Sequence, residues 1–168
     1  TNMSHTVEKI GGTSMSRTGE LLDTVLIGDR TGAARYNRIF VVSAYAGITN
    51  ALLEHKQTCK PGVYALFADA EKGAAWADAL TGVADQMRSQ NERIFTDPND
   101  RRIADGFVHE RVEGARSCLT DLRRLCSSGH FRLDQHLLTV RELLASLGAA
   151  PSAFNTTLFL DRRGVPSP

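Results

Sequence analysis

Two short stretches carry residue types that could handle a phosphorylated ligand. The first is Lys9-Ile10-Gly11-Gly12-Thr13-Ser14. It places a lysine at the end of an apolar run, then two glycines that let backbone approach a ligand closely. A helix is predicted just beyond, with Ser14 or Ser16 as its cap. Its free N–H groups and dipole favour an anion such as a phosphate. The lysine precedes the glycines and no Gly-Lys-Ser/Thr follows, so this is not a Walker A loop. The plainer reading is a Gly-Gly turn beside a solvated lysine. The second stretch is Ser43-Ala44-Tyr45-Ala46-Gly47-Ile48-Thr49-Asn50. Its small residues and hydroxyls leave room for a polar ligand. Its plainer reading is a tight loop in which Thr49 caps a helix. A third candidate pairs Glu142 with Ser146, four residues apart and so on one helical face. A solvated helix glutamate is its bland alternative.

The elements that must hold these residues can be read from periodicity. Residues 5–10 read as a strand and residues 17–29 as a helix with Leu21, Leu22, Val25 and Leu26 on one side. Residues 38–44 are a β-branched and aromatic run, of the kind buried on both faces of a parallel sheet. Residues 50–57 read as a helix. Strand–helix–strand–helix over 5–57 implies a right-handed crossover and a parallel pair. Both ligand stretches then lie at carboxyl ends of strands, where open α/β sheets bind ligands.

After Pro61-Gly62 the pattern turns helical through residue 164. Trp76, Leu80, Val83 and Met87 form one stripe. Asp97-Pro98-Asn99-Asp100 breaks it. A long stripe from Ala104 to Cys126 follows, ended by Ser127-Ser128-Gly129. Leu133, Leu137, Val140, Leu144 and Leu147 make another, closed by Gly148. Pro151 is predicted in the first turn of a last helix that runs to Gly164. Val165 could open a further strand. Two strands are a poor core for so much helix, so residues 3–168 read as the first portion of a larger α/β domain. Thr1 and Asn2 precede Met3 and are set aside as additions to the natural start.

Composition narrows the function classes. The chain has 168 residues, 42% of them hydrophobic, and a net charge of +1. A nucleic-acid binder normally carries a clear basic excess. The arginines at 111, 116, 123 and 124 alternate with acids and read as a solvated face. No apolar run approaches the roughly 18 residues that span a bilayer, so no membrane partner is expected. Three irregularly spaced cysteines, Cys59, Cys118 and Cys126, point to free thiols and a reducing, cytoplasmic setting. His130, Asp134 and His136 lack a metal-ligand spacing, and no metal site is expected.

Taken together, the two ligand stretches resemble the start of aspartate kinases, within the amino acid kinase family. The matching residues run Val7 to Met15 and Val41 to Leu53. The family's third signature, Gly-Glu-x-Leu-Ser, finds its counterpart at Arg141-Glu142-Leu143-Leu144-Ala145-Ser146. The chain as a whole looks most like the aspartokinases of ectoine biosynthesis. There are departures: Ile10 replaces a phenylalanine, Arg141 replaces the signature glycine, and Ala145 interrupts a small-polar pair. The family's later Gly-Ser-Asp stretch and its nucleotide segment, Thr-x-Asp-Gly … Thr-x-Asp-Pro-Arg, have no counterpart. Thr96-Asp97-Pro98 mimics the latter but reads as a turn.

The resemblance implies an α/β fold, the amino-terminal portion of an amino acid kinase-like parallel-sheet sandwich with a helix-rich segment. It implies transfer of phosphate from ATP, with Mg2+, to the side-chain carboxylate of L-aspartate. It implies that Lys9 is catalytic and, with Gly11, Gly12, Thr13 and Ser14, binds the phosphates. Ser43 and Thr49 would bind aspartate, and Glu142 would pair with its α-ammonium. No metal ligand is assigned, and a homo-oligomer is implied. A carboxylate, with a pKa of about 4, is already ionised and needs no general base. Two alternatives stand beside this reading: a non-catalytic kinase lobe that binds a partner, or another amino acid kinase with a different acceptor.

Overall fold

A computed structural model describes residues 5–167. Thr1 and Asn2 lie outside the described residues. Two strands, β1 (Thr6–Ile10) and β2 (Arg38–Val42), pair in parallel with Thr6 opposite Arg38 and Ile10 opposite Val42. Side chains alternate across a sheet, so Glu8, Ile10, Phe40 and Val42 share one face, and Val7, Lys9, Ile39 and Val41 the other. Only the first face is covered. Ile10 is buried, whereas Val7 is 67% exposed, Ile39 51% and Val41 48%. The expectation that the second strand is buried on both faces therefore holds for one face, because the long helices all pack on the Ile10 side.

The predicted helix over 17–29 is two short pieces, α2 (Thr18–Leu21) and a π-helical turn (Leu22–Leu26), preceded by α1 (Gly12–Met15) and followed by a 3-10 turn (Gly32–Arg35). Hydroxyls explain part of this. Thr18 Oγ1 donates to the Met15 carbonyl at 2.7 Å, and Thr24 Oγ1 to that of Glu20 at 2.7 Å. Such local bonds compete with a regular ladder. Arg38 closes the segment. Its side chain is 4% exposed, and its guanidinium makes two 2.6 Å bonds to the Glu8 carboxylate and reaches the carbonyls of Val25 and Leu26.

The helix predicted over 50–57 is α3 (Ile48–Leu52). Thr49 is not its cap. Gly47 precedes the helix with φ +84, a left-handed conformation that glycine adopts without cost, and Thr49 falls in the first turn. α4 (Val63–Ala68) follows Gly62. Next comes the helical hairpin of α5 (Ala75–Ile94) and α6 (Pro98–Ser127). Trp76, Leu80, Val83 and Met87 are all buried, as their spacing predicts. Asp97 caps α6, accepting from the amides of Asn99 and Asp100 at 2.7 and 3.2 Å, and Pro98 opens it.

α7 (Leu137–Arg162) departs from the reading. Gly148 does not end a helix; one helix continues through Pro151. A proline inside a helix costs about 3 kcal/mol. That cost is offset on both sides, because Val140, Leu144, Leu147, Ser152, Asn155 and Leu160 are all buried, and apolar burial contributes roughly 1.5–3 kcal/mol per large side chain. By length and composition α7 is also apolar enough to cross a membrane, which corrects the expectation of no such run. Its apolar residues belong to the core shared with α3, α4, α6 and β2. Val165 is buried but opens no strand.

Two of the arginines read as solvated are not. Arg123 lies over the Phe67 ring and donates to the Phe67 carbonyl. Arg116 donates to the Ala77 carbonyl at 3.0 Å and to Thr81 at 2.9 Å. Long α6 side chains thus tie α6 to α4 and to α5. Cys59 and Cys118 are exposed and Cys126 half-buried, all three as free thiols.

Candidate active site

The parallel pairing brings the two ligand stretches side by side. β1 ends at Ile10 and β2 at Val42, so both following loops emerge from the same end of the sheet. The Ser43 amide donates to the Ile10 carbonyl at 3.0 Å, which sets the second loop against the first. Gly12 lies against the neighbouring backbone: a Cβ there would stand 2.7 Å from the Ala44 carbonyl oxygen. Glycine is required for that approach. Gly11, by contrast, has open space around its Cα. Ser16 clips the loops from below. Its hydroxyl accepts from the Ala46 amide at 2.9 Å and donates to the Gly12 carbonyl at 3.1 Å.

The groups facing outward suit an anion. Lys9, the penultimate residue of β1, is exposed on the open sheet face. Thr13 and Ser14 are exposed in the first turn of α1, whose preceding residue, Gly11, makes no side-chain cap. First-turn N–H groups have no partner within a helix, so those of Gly12 to Ser14 are available to a ligand. Ser43 is half-buried, and Thr49 is exposed at the start of α3. A cleft of about 400 Å³ opens beside this loop, lined by Tyr45, Ala46, Ile48, Ser89, Gln90 and Arg93 among others. Among the described residues no cluster of three His, Cys, Asp or Glu side chains could hold a metal ion.

α7 supplies the third wall, but not through Glu142. Ser152 Oγ donates to the Ser43 carbonyl at 2.7 Å, and a Cβ on Gly148 would stand 3.4 Å from that of Ala44. Glu142 is exposed, ten residues before Ser152, or about 15 Å along the axis. Its side chain leans toward the helix amino terminus, away from Ser43. Ser146 Oγ bonds back to the carbonyls of Glu142 and Leu143. Arg141 lies over the Tyr64 ring of α4, away from the loops. Gly148 and Ser152 carry the glycine-to-serine spacing of the signature that sequence reading set at 141–146, with Ala149 at the position of its glutamate. That spacing was the available signal.

Tyr45 was also passed over. It is 4% exposed, and its hydroxyl accepts from Asn155 Nδ2 at 3.0 Å. Burial pushes its pKa up to about 12, against smaller opposing effects of hydrogen bonds with Asn155 and Thr18. Tyr45 therefore stays neutral at any ordinary pH.

No protein-family model matches the chain, and no solved structure matches it. A curated protein does: the aspartate kinase Ask_Ect of Stutzerimonas stutzeri (strain A1501), 55% identical over 161 residues. The match takes in 96% of this chain and 34% of that protein, so the chain spans about a third of the relative's length. The resemblance to aspartate kinases drawn from Lys9–Ser14 and Ser43–Asn50 is borne out by this similarity.

Proposed function

We propose that this chain, so close in sequence to an aspartate kinase, forms the part of such an enzyme that grips the transferring phosphate and the acceptor. The observation that carries the reading is the contact of Gly12 with Ala44, which sets a phosphate-type loop against an acceptor-type loop at one end of a parallel sheet. The reaction is phosphoryl transfer from ATP to the side-chain carboxylate of L-aspartate, giving 4-phospho-L-aspartate, as the relative's name and the resemblance imply. On this reading the product feeds ectoine or aspartate-family amino acid biosynthesis, a reading supported by the likeness to aspartokinases of ectoine biosynthesis.

The residues fit the chemistry. The acceptor is already an anion, so no proton need be removed. What remains is positioning and charge neutralisation around the phosphoryl oxygens. Lys9 supplies a point charge for them. The Gly11-Gly12 backbone and the amides of Thr13 and Ser14 supply donors. Ser43 and Thr49 offer hydroxyls to the acceptor. Mg2+, when bound with ATP, neutralises phosphate charge; this chain offers it no ligand cluster among the described residues. Glu142 has the α-ammonium role in the resemblance, at a distance along α7 that makes its test informative.

The test is formation of acyl phosphate, trapped as a hydroxamate, from ATP, magnesium and aspartate by the full-length gene product. Turnover with aspartate supports the reading. Turnover with another carboxylate acceptor and none with aspartate would replace the substrate but keep the loops.

A further inference from the structure

Arg93 lines the cleft beside the acceptor loop and has no partner there. The other arginines have an ion pair, a hydrogen bond or an aromatic ring to rest on. Arg88 pairs with Asp85 at 3.1 Å, Arg101 with Glu92 at 3.0 Å, and Arg141 lies over Tyr64. Arg93, exposed in the last turn of α5, has none of these among the described residues. The helix dipole accounts for a cation at that end. It does not account for a free guanidinium on the wall of a cleft of about 400 Å³, a size within the roughly 300–1,000 Å³ of small-molecule sites.

The cleft carries both signs of charge. Asp85, Ser89 and Arg93 follow one another at helical steps of four and form one stripe of its wall. Asp85 and Arg93 are about 12 Å apart along the axis, and an arginine side chain leans toward the helix amino terminus, here toward Asp85. The Asp85 bond to Arg88 uses one carboxylate oxygen, and side chains 68% and 38% exposed make it a weak pair. Gln90, 8% exposed, donates to the Ser16 carbonyl at 3.3 Å, while its Oε1 accepts no bond among the described residues. A cation at one end, an anion at the other and an unused acceptor suit the head of an α-amino acid. A simple anion would be repelled by Asp85, and a simple cation by Arg93.

The opposite wall is the acceptor loop. Tyr45, Ala46 and Ile48 line the cleft, and Thr49 follows Ile48 directly. Ser16 fixes the join. Its hydroxyl accepts from the Ala46 amide at 2.9 Å, and its carbonyl accepts from Gln90. The cleft is thereby bonded to the residue just past α1, the helix that carries Thr13 and Ser14. Asp85 supplies the one carboxylate among its lining residues; Glu142 is not among them.

We propose that Arg93 is a specificity-determining residue for phosphoryl transfer: its guanidinium takes the α-carboxylate of the acceptor amino acid, whose α-ammonium lies toward Asp85. The side-chain carboxylate is then left for Thr49 and the phosphate loop. This rests on the kinase reading above. Arginine suits the task because its fork can hold a carboxylate through two parallel bonds.

The experiment uses Arg93→Gln and Asp85→Asn in the full-length protein. Acyl phosphate is measured with three acceptors: L-aspartate, its α-amide, which lacks the α-carboxylate, and succinate, which lacks the ammonium. In Arg93→Gln the KM for aspartate rises about ten- to a hundredfold, the loss of a charged hydrogen-bonded contact, while the KM for ATP moves less than about threefold. The preference for aspartate over the α-amide shrinks by the same factor. In Asp85→Asn the preference for aspartate over succinate shrinks instead. Both side chains are exposed, so melting temperatures stay within about 1 °C of wild type. An unchanged aspartate KM in Arg93→Gln overturns the proposal, as does an equal loss on aspartate and the α-amide. An undiminished preference over succinate in Asp85→Asn overturns the placing of the ammonium. A wild-type protein inactive on aspartate defeats the kinase reading instead, and calorimetry with L-aspartate then decides. Binding by the wild type that Arg93→Gln loses supports the cleft; no binding by the wild type, or equal binding by the variant, overturns it.

Discussion

Gly12→Ala would drive a methyl carbon to 2.7 Å from the Ala44 carbonyl oxygen. Backbone on both sides of the contact leaves no flexible side chain to give way. The loops must part by roughly half an ångström, and such overpacking costs about 1–3 kcal/mol. Gly11→Ala is the matched control. Its neighbour-free Cα and extended backbone, φ −78 and ψ 164, accept alanine without strain. Both substitutions restrict the unfolded chain similarly, by about 0.4–1 kcal/mol in favour of folding. Their difference therefore isolates the contact. At about 2–4 °C per kcal/mol for a chain of this size, Gly12→Ala melts some 2–12 °C below Gly11→Ala. Thermal unfolding followed by circular dichroism reads this directly. Equal melting temperatures would show that the loops do not touch at Gly12 and so do not form one site.

Other expectations follow from individual side chains. Lys9→Ala abolishes acyl phosphate formation in the full-length protein while leaving its melting temperature within about 1 °C, since exposed surface changes cost little; a variant that still turns over would remove Lys9 from the chemistry. Ser152→Ala lowers stability by about 1–2 kcal/mol in urea titration, because the Ser43 carbonyl loses its partner, and an unaltered midpoint would count against the α7 wall. Glu142→Gln leaves the KM for aspartate within about twofold if the 15 Å axial separation governs; a clear rise would restore its pairing with the α-ammonium. The bond to Arg38 holds the Glu8 carboxyl below its ordinary 4.5. A group depressed on folding stabilises above its unfolded pKa and loses that contribution as pH falls, so stability drops below about pH 4.5, and Glu8→Gln flattens that drop.

Much of the scaffold was legible because its patterns are local. The stripe Trp76, Leu80, Val83, Met87 and the run Arg38–Val42 declare their periods within a few residues. The Asp97-Pro98 cap is equally local. The misread elements depend on partners far away in sequence. Pro151 sits inside a helix because buried side chains on both sides hold it there. Thr49 yields its capping place to Gly47, whose left-handed φ only the folded loop reveals. In the site, the motif residues at 9–14 and 43–49 were visible as types and spacing. Tyr45 and Asn155 were not, because their bond joins residues 110 apart and neither has an unusual type. Gly148 and Ser152 fell outside the signature because a glutamate six residues earlier drew it there.

The open sheet face has a consequence for handling the molecule. Val7, Ile39 and Val41 lie beside Lys9, and in a two-stranded sheet each strand keeps one edge without a neighbour among the described residues. Unpaired edges next to exposed β-branched side chains are templates for intermolecular strand pairing. With a net charge of only +1, there is little long-range repulsion to oppose that encounter. The colloidal behaviour of these 168 residues will therefore be governed by this small face of sheet. Concentration, more than temperature, will set how long a preparation stays monodisperse.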